Sequence, residues 1–359
     1  MPGVYISYPF CSQKCSFCNF ASSVSGPDTI AQYQGALVAE IRAHEWAWRP
    51  ETLYFGGGTP SLMSGELLQE IMAAIPRASL SEVTLECAPG TVTPEAIELW
   101  QACGINRISF GVQSFVTKEL RQTGRRHDAQ IVQREIETLR NAGLSNINID
   151  LISGLPEQTL ATMAASLAWI ERLAVPHVSL YIFEIDEDSR LGNEILLGGQ
   201  RYGAPRVPDD ELTARLYETA SRSLRGFGYH HYEISNYAHP GLESKHNLKY
   251  WLLEPYVGFG LDAHSFDGHT RYSNGDTFEA YFQSAKPPQT ASDSAEEHFF
   301  VGLRLLDGIE PTPAEWQRFA EPIAKWENAG MLERAGTRLR LTAPAVLVSN
   351  EIFQEFLSV

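Results

Sequence analysis

Short β-rich runs alternate with longer stretches of helical period through the first half of the chain. The strand candidates are Gly3–Tyr8, Thr52–Phe55, Val83–Glu86, Arg107–Gly111, Asn146–Leu151 and His177–Phe183. Between them apolar residues recur every three or four positions. Ile30, Tyr33, Leu37 and Ile41 form one such stripe, and Leu67, Leu68, Ile71, Met72 and Ile75 another. Thr93 followed by Pro94 marks a helix start, and Gly104 and Gly143 suit helix ends that need a left-handed residue. Six strand–helix alternations predict parallel strands with right-handed crossovers. The expected architecture is α/β, a partial (β/α)6 TIM-like barrel spanning 1–228, with active residues at the C-terminal strand ends.

The pattern changes further on. Gly198–Pro208 reads as a turn-rich loop before a helix at Asp209–Phe227. A connecting region, 229–293, is rich in aromatics and histidine. From 294 to 359 the chain reads as helices, then Met331–Leu341 with a turn at Ala335–Thr337, then a last helix to Val359. That order is similar to a small α+β, winged-helix-like appendage.

Charge narrows the function classes. The 359 residues include 44 acidic and 28 basic side chains, a net charge of −16. Nucleic-acid binding needs Lys and Arg to neutralise phosphates, so none is expected, and neither is tight attachment to anionic lipid. No run reaches the roughly 18 apolar residues of a membrane span. Met1-Pro2-Gly3 leads straight into an apolar strand without a charged leader, so a cytoplasmic protein with reduced thiols is expected.

The chemistry concentrates in Cys11-Ser12-Gln13-Lys14-Cys15-Ser16-Phe17-Cys18. Five cysteines in a chain without a leader argue against a disulfide framework, and a zinc site would want a fourth ligand nearby. Cys87 and Cys103 stand alone and read as buried, inert thiols. Three thiols would leave one iron of a cubane cluster open to a non-protein ligand.

Three further segments follow in order: Tyr54 to Ser61 (YFGGGTPS), Asn106 to Phe115 (NRISFGVQSF) and Asn148 to Pro156 (NIDLISGLP). Together with the cysteine loop they resemble the radical S-adenosylmethionine (SAM) superfamily, in the branch that holds the anaerobic coproporphyrinogen III oxidases (dehydrogenases) and the heme chaperones. The resemblance covers essentially the whole chain. It implies a 4Fe-4S cluster on Cys11, Cys15 and Cys18, whose electron cleaves SAM to methionine and a 5′-deoxyadenosyl radical. It implies SAM contacts at Gly57, Gly58, Thr59, Glu86, Gln113, Arg125 and Asp150, with Tyr5 and Phe17 packed around the cluster and adenine. Without the resemblance, the glycines could be a plain turn, Glu86 a solvated strand end and Arg125 a surface charge.

Within that branch the chain sides with the heme chaperones. The dehydrogenase loop carries a fourth cysteine two residues after the third, where this chain has Phe20 after Asn19, and only four residues precede Tyr5, too few for the dehydrogenases' N-terminal extension. Coproporphyrinogen dehydrogenase activity is therefore not expected, while a radical SAM methyltransferase remains the other alternative. His246 to Trp251 (HNLKYW) looks like the chaperones' HNxxYW signature. It implies heme binding near His246, Tyr250 and Trp251, with His264 as rival iron ligand and His230 and His231 as weaker candidates that read as surface groups near a strand. The implied partners are heme and apo-hemoprotein acceptors, respiratory ones foremost. Transient association with membrane proteins and homodimerisation are compatible with this role.

Overall fold

The computed structural model describes residues 2–76, 80–283 and 289–357. Strands β1 (Gly3–Tyr8), β2 (Thr52–Gly57), β3 (Glu82–Cys87), β4 (Arg107–Gln113), β5 (Ile147–Ser153) and β6 (His177–Ile182) lie side by side in chain order, all parallel. A helix follows each strand, beginning with Pro27–Ala43 and Gly65–Ala74. This is the partial (β/α)6 barrel the alternation predicts. The expected start and stop signals are in place: Thr93 accepts a hydrogen bond from the Ala96 N–H, and Gly104 and Gly143 adopt φ of +85° and +87°.

Alternation along each strand divides the side chains into two sets. Val4, Ile6, Leu53, Phe55, Val83, Leu85, Ile108, Phe110, Ile147 and Ile149 pack into the main apolar core with the helices. The other face points into the barrel and is polar. It carries Thr52, Tyr54, Thr84, Glu86, Arg107, Ser109, Asn148, Asp150 and His177, many of them bonded to one another across strands.

The sheet runs past the barrel at both edges. Strands β7 (His230–Glu233) and β8 (Asn236–Ala238) form a hairpin beside β6. On the other side β9 (Tyr256–Phe259) pairs parallel with β1 and is followed by β10 (His264–Phe266), β11 (Thr270–Ser273) and β12 (Gln289–Ala291). The 229–293 stretch is thus woven into the barrel's own sheet. Beyond it, helices Ser294–Phe300, Pro313–Arg318 and Ala320–Asn328, the hairpin β13 (Leu332–Ala335) and β14 (Arg338–Leu341), and helix Ser349–Gln354 enclose a second core from Phe299 to Phe356. The last helix stops at Gln354 rather than running to the terminus, and residues 358 and 359 lie outside the described residues. No helix among the described residues is long and apolar enough to cross a membrane.

Candidate functional site: a cysteine-lined cavity at the strand ends

A cavity of about 840 Å³ opens at the C-terminal ends of the parallel strands. Cys11, Cys15 and Cys18 form one wall, and none of them is in a disulfide. Their loop is fastened on several sides. The Cys11 N–H donates to Ser23 O (3.0 Å), the Ser16 N–H to Thr123 O (3.1 Å) and the Leu191 N–H to Ser16 O (2.7 Å). The Gln13 side chain donates to Gly124 O at 2.6 Å and that of Asn19 to Asp186 at 2.7 Å. Burial pushes the Cys11 thiol up, while a hydrogen bond with Thr59 pulls it down. Among the described residues no three His, Cys, Asp or Glu side chains converge on a single-ion site.

The glycine run explains itself locally. Gly57 has φ +107°, open to glycine and strained for other residues. A Cβ at Gly58 would lie 2.8 Å from the backbone of Pro9 and Phe10, and one at Gly56 would lie 2.8 Å from the Tyr5 ring. The Gly58 N–H donates to Tyr8 O (2.8 Å) and the Thr59 N–H to Phe10 O (2.9 Å). The run therefore clamps the segment that delivers Cys11, while Gly57, Gly58 and Thr59 also face the cavity.

Glu86, Gln113, Arg125 and Asp150 complete the wall. Tyr54 donates to Glu86 at 2.9 Å, and Asn148 donates to Asp150 at 2.7 Å. Burial, then the Asp150 charge, pushes the Glu86 carboxyl up to about 7, and burial raises Asp150 as well. The β4–β5 register slips between Phe110 and Gln113, and Gln113 sits at φ +70°. Such a strained, bulged residue is common where a strand end re-aims a side chain. Gly111 makes room there, since its Cβ would meet Gln113 at 3.3 Å and Arg125 at 3.4 Å. Arg125 donates to Gly111 O and lies 5.9 Å from the Phe17 ring, so it is a wall residue and not a free surface charge. Gln113 Oε1 and Arg125 Nε are buried without partners. Two orphaned polar atoms beside three thiols fit a polar ligand held against a cluster.

Phe17 faces the cavity, whereas Tyr5 packs beneath it, its ring 6.0 Å from that of Tyr54. Tyr54 and the C-terminal segment 346–351 are wall or support groups that sequence reasoning missed. The alternation Tyr54–Gly56 on β2 could have revealed the first. Nothing local marks the second, because it arrives from the other end of the chain.

The trio expected to hold heme is not brought to this cavity. Helix Lys245–Trp251 sits across the opposite, N-terminal ends of the strands. Glu82 accepts from its Lys245 and His246 N–H groups, at 3.1 and 2.9 Å. His246 is 1% exposed, with Nδ1 bonded to Thr52 Oγ1 (2.9 Å) and Nε2 to Tyr250 OH (2.8 Å). Burial first, then Lys249 and Arg107, lowers its pKa to about 3. Both ring nitrogens are committed, so His246 has no lone pair to offer an iron in this conformation. Its place is made by Gly3, whose Cβ would approach the imidazole to 3.1 Å. Trp251 lies against Arg304, 4.6 Å from ring centre to guanidinium. His264 is exposed on β10, 3.9 Å from Asp262, away from the cavity wall.

The radical SAM superfamily model matches residues 5–170, and the HemN C-terminal domain model matches 289–348. The heme chaperone HemW of Lactococcus lactis is 32% identical, over 98% of this chain and 96% of its own. This chain belongs to the HemW family. The HemW of Bacillus subtilis is likewise 32% identical, over 99% of both chains. The solved coproporphyrinogen III oxidase HemN of Escherichia coli, a radical SAM enzyme, superposes with a TM-score of 0.84 at 21% identity, covering 99% of this chain and 90% of that one. At that identity the likeness shows the shared fold.

Proposed function

We propose that this chain is a heme chaperone, which binds heme together with a 4Fe-4S cluster and SAM and hands heme to apo-hemoproteins. The observation that carries the reading is the near end-to-end similarity to chains named heme chaperone HemW, joined to a cavity walled by three unpaired thiols. Cys11, Cys15 and Cys18 would hold the cluster, leaving one iron without a protein ligand. When bound, the cluster supplies single electrons to a ligand on that iron. The chain's own residues do the rest. Arg125 offers a fork for a carboxylate. Gln113 offers an amide whose oxygen lacks a partner. Glu86 and Asp150 accept hydroxyl hydrogen bonds at the strand ends. Phe17 shields the site from water.

An anaerobic heme titration of the cluster-reconstituted protein, followed in the Soret band, tests this, together with transfer to an apo-hemoprotein. Saturable binding and transfer without turnover of coproporphyrinogen III is the expected result. Absence of saturable binding, or formation of protoporphyrinogen in the presence of SAM and reductant, overturns it.

A further inference from the structure

A second cavity, about 710 Å³, lies where helix Asp210–Gly226 and β7 meet the C-terminal hairpin. We propose that this cavity is the seat of the heme macrocycle, with His230 as iron ligand and Arg222, Arg225 and Arg340 as partners of its carboxylates. The proposal rests on the heme-chaperone reading above and supplies the site that the buried His246 does not.

The size lies within the range of small-molecule pockets, roughly 300–1,000 Å³. Leu306, Pro344, Val346 and Leu347 give it apolar walls for a flat ring. Arg222 and Arg225 stand one turn apart on the same helix, and Arg340 faces them from β14. Glu218 and Glu333 also line the cavity, and Glu333 already pairs with Arg340 at 2.7 Å. Three arginines against two glutamates make a cationic rim on a chain of net charge −16. A tetrapyrrole with two carboxylates matches it: an apolar body with anionic edges, which guanidinium forks grip well.

Two histidines line the cavity, and they differ in availability. The His231 Nε2–H donates to Ile234 O at 3.1 Å, and its ring stacks on Tyr237 with centroids 4.0 Å apart. His230 is exposed at the start of edge strand β7 and offers the open imidazole that iron needs. The location also suits a cluster protein. Tyr217, Val346 and Leu347 line both cavities, so one layer of side chains separates this site from the cysteine-lined cavity.

The test is the anaerobic titration of the cluster-loaded full chain, run in parallel on His230→Ala, on the double variant Arg222→Glu/Arg225→Glu and on the control His264→Ala. All these side chains are exposed, and circular dichroism checks that each variant folds. His230→Ala should shift the Soret maximum and weaken heme binding about tenfold or more, while leaving metal-free protoporphyrin IX binding as in the wild type. The double variant should weaken both ligands by a similar factor, and His264→Ala should match the wild type. Saturable wild-type binding with an unchanged double variant overturns this site while the chaperone reading stands. An unchanged Soret band in His230→Ala overturns the axial assignment. Failure of the wild type itself to saturate removes the chaperone reading and this inference with it.

Discussion

Glu86 lies at the C-terminal end of β3, buried and with Asp150 as its charged neighbour, and that setting gives it a pH dependence. Its carboxyl ionises at about 7 in the folded chain, against an ordinary 4.5. The native state therefore keeps a proton that the unfolded chain releases, and stability falls as pH rises from about 4.5 to about 7. Above that window the full cost applies, at most about 3 kcal/mol at 1.36 kcal/mol per pKa unit. Glu86→Gln keeps an acceptor for the Tyr54 hydroxyl and removes the charge. We expect the variant, free of cluster and SAM, to be more stable than the wild type at about pH 8 and equal to it at about pH 4.5. Urea denaturation across that range measures it, and parallel pH profiles for the two proteins would refute the account. The same carboxyl illustrates what a strand end can hide. Its position could be read from the sequence, but its ionisation depends on burial and then on Asp150, two strands away in the sheet.

Helix Lys245–Trp251 behaves as a plug at the element scale. His246→Ala strands the Thr52 and Tyr250 hydroxyls inside the barrel and opens a cavity beside Gly3. A loss of about 2–4 kcal/mol is expected in chemical denaturation, with iron content per folded chain unchanged after reconstitution. An unchanged midpoint would show that the helix is not seated as described. The glycine run makes the converse prediction. Gly58→Ala pushes on the Pro9–Phe10 backbone that leads into Cys11, so it should lower cluster loading, read as iron and sulfide per chain. Gly35→Ala, mid-helix with nothing within 4 Å, should instead stabilise by about 1 kcal/mol and leave loading intact. Legibility follows the range of the cause. The six strands, the Thr93 cap and the Gly104 and Gly143 ends are local signals and could be read. Gln113's positive φ, the pairing of β9 with β1 and the burial of His246 depend on partners far along the chain: Glu82 lies 164 residues from His246. A motif such as HNxxYW states which groups are present and leaves their surroundings open.

At the scale of the whole molecule, the C-terminal unit is tied to the barrel by main-chain hydrogen bonds, and the Arg304 charge acts on the buried Glu233 across the same junction. The Ile234 N–H donates to Arg304 O (3.0 Å), the Leu306 N–H donates to Tyr232 O (3.1 Å), and Ile234 packs against the second core. Glu233, 0% exposed, is raised to about 7 by burial, and the Arg304 charge is the main influence pulling it back. Arg304 in turn lies on the Trp251 ring and on the wall of the cysteine-lined cavity, where segment 346–351 also arrives. The junction thus joins the plug, the cavity and the C-terminal unit through one side chain. Arg304→Ala removes the largest effect lowering Glu233, so the carboxyl stays protonated to higher pH or is buried charged with only hydrogen bonds from Asn236 and Ser235 to offset it. At about pH 6 the acid is already largely protonated and the loss should be modest. At about pH 8 it should grow by about 1 kcal/mol, the limit that linkage sets at one pH unit above a folded pKa of about 7. The double variant Arg304→Ala/Glu233→Gln should lose that pH dependence, because the carboxyl that changes charge over this range is gone. Denaturation midpoints at the two pH values decide it. An equal loss at both would mean that Arg304 acts through its packing on Trp251, not through its charge.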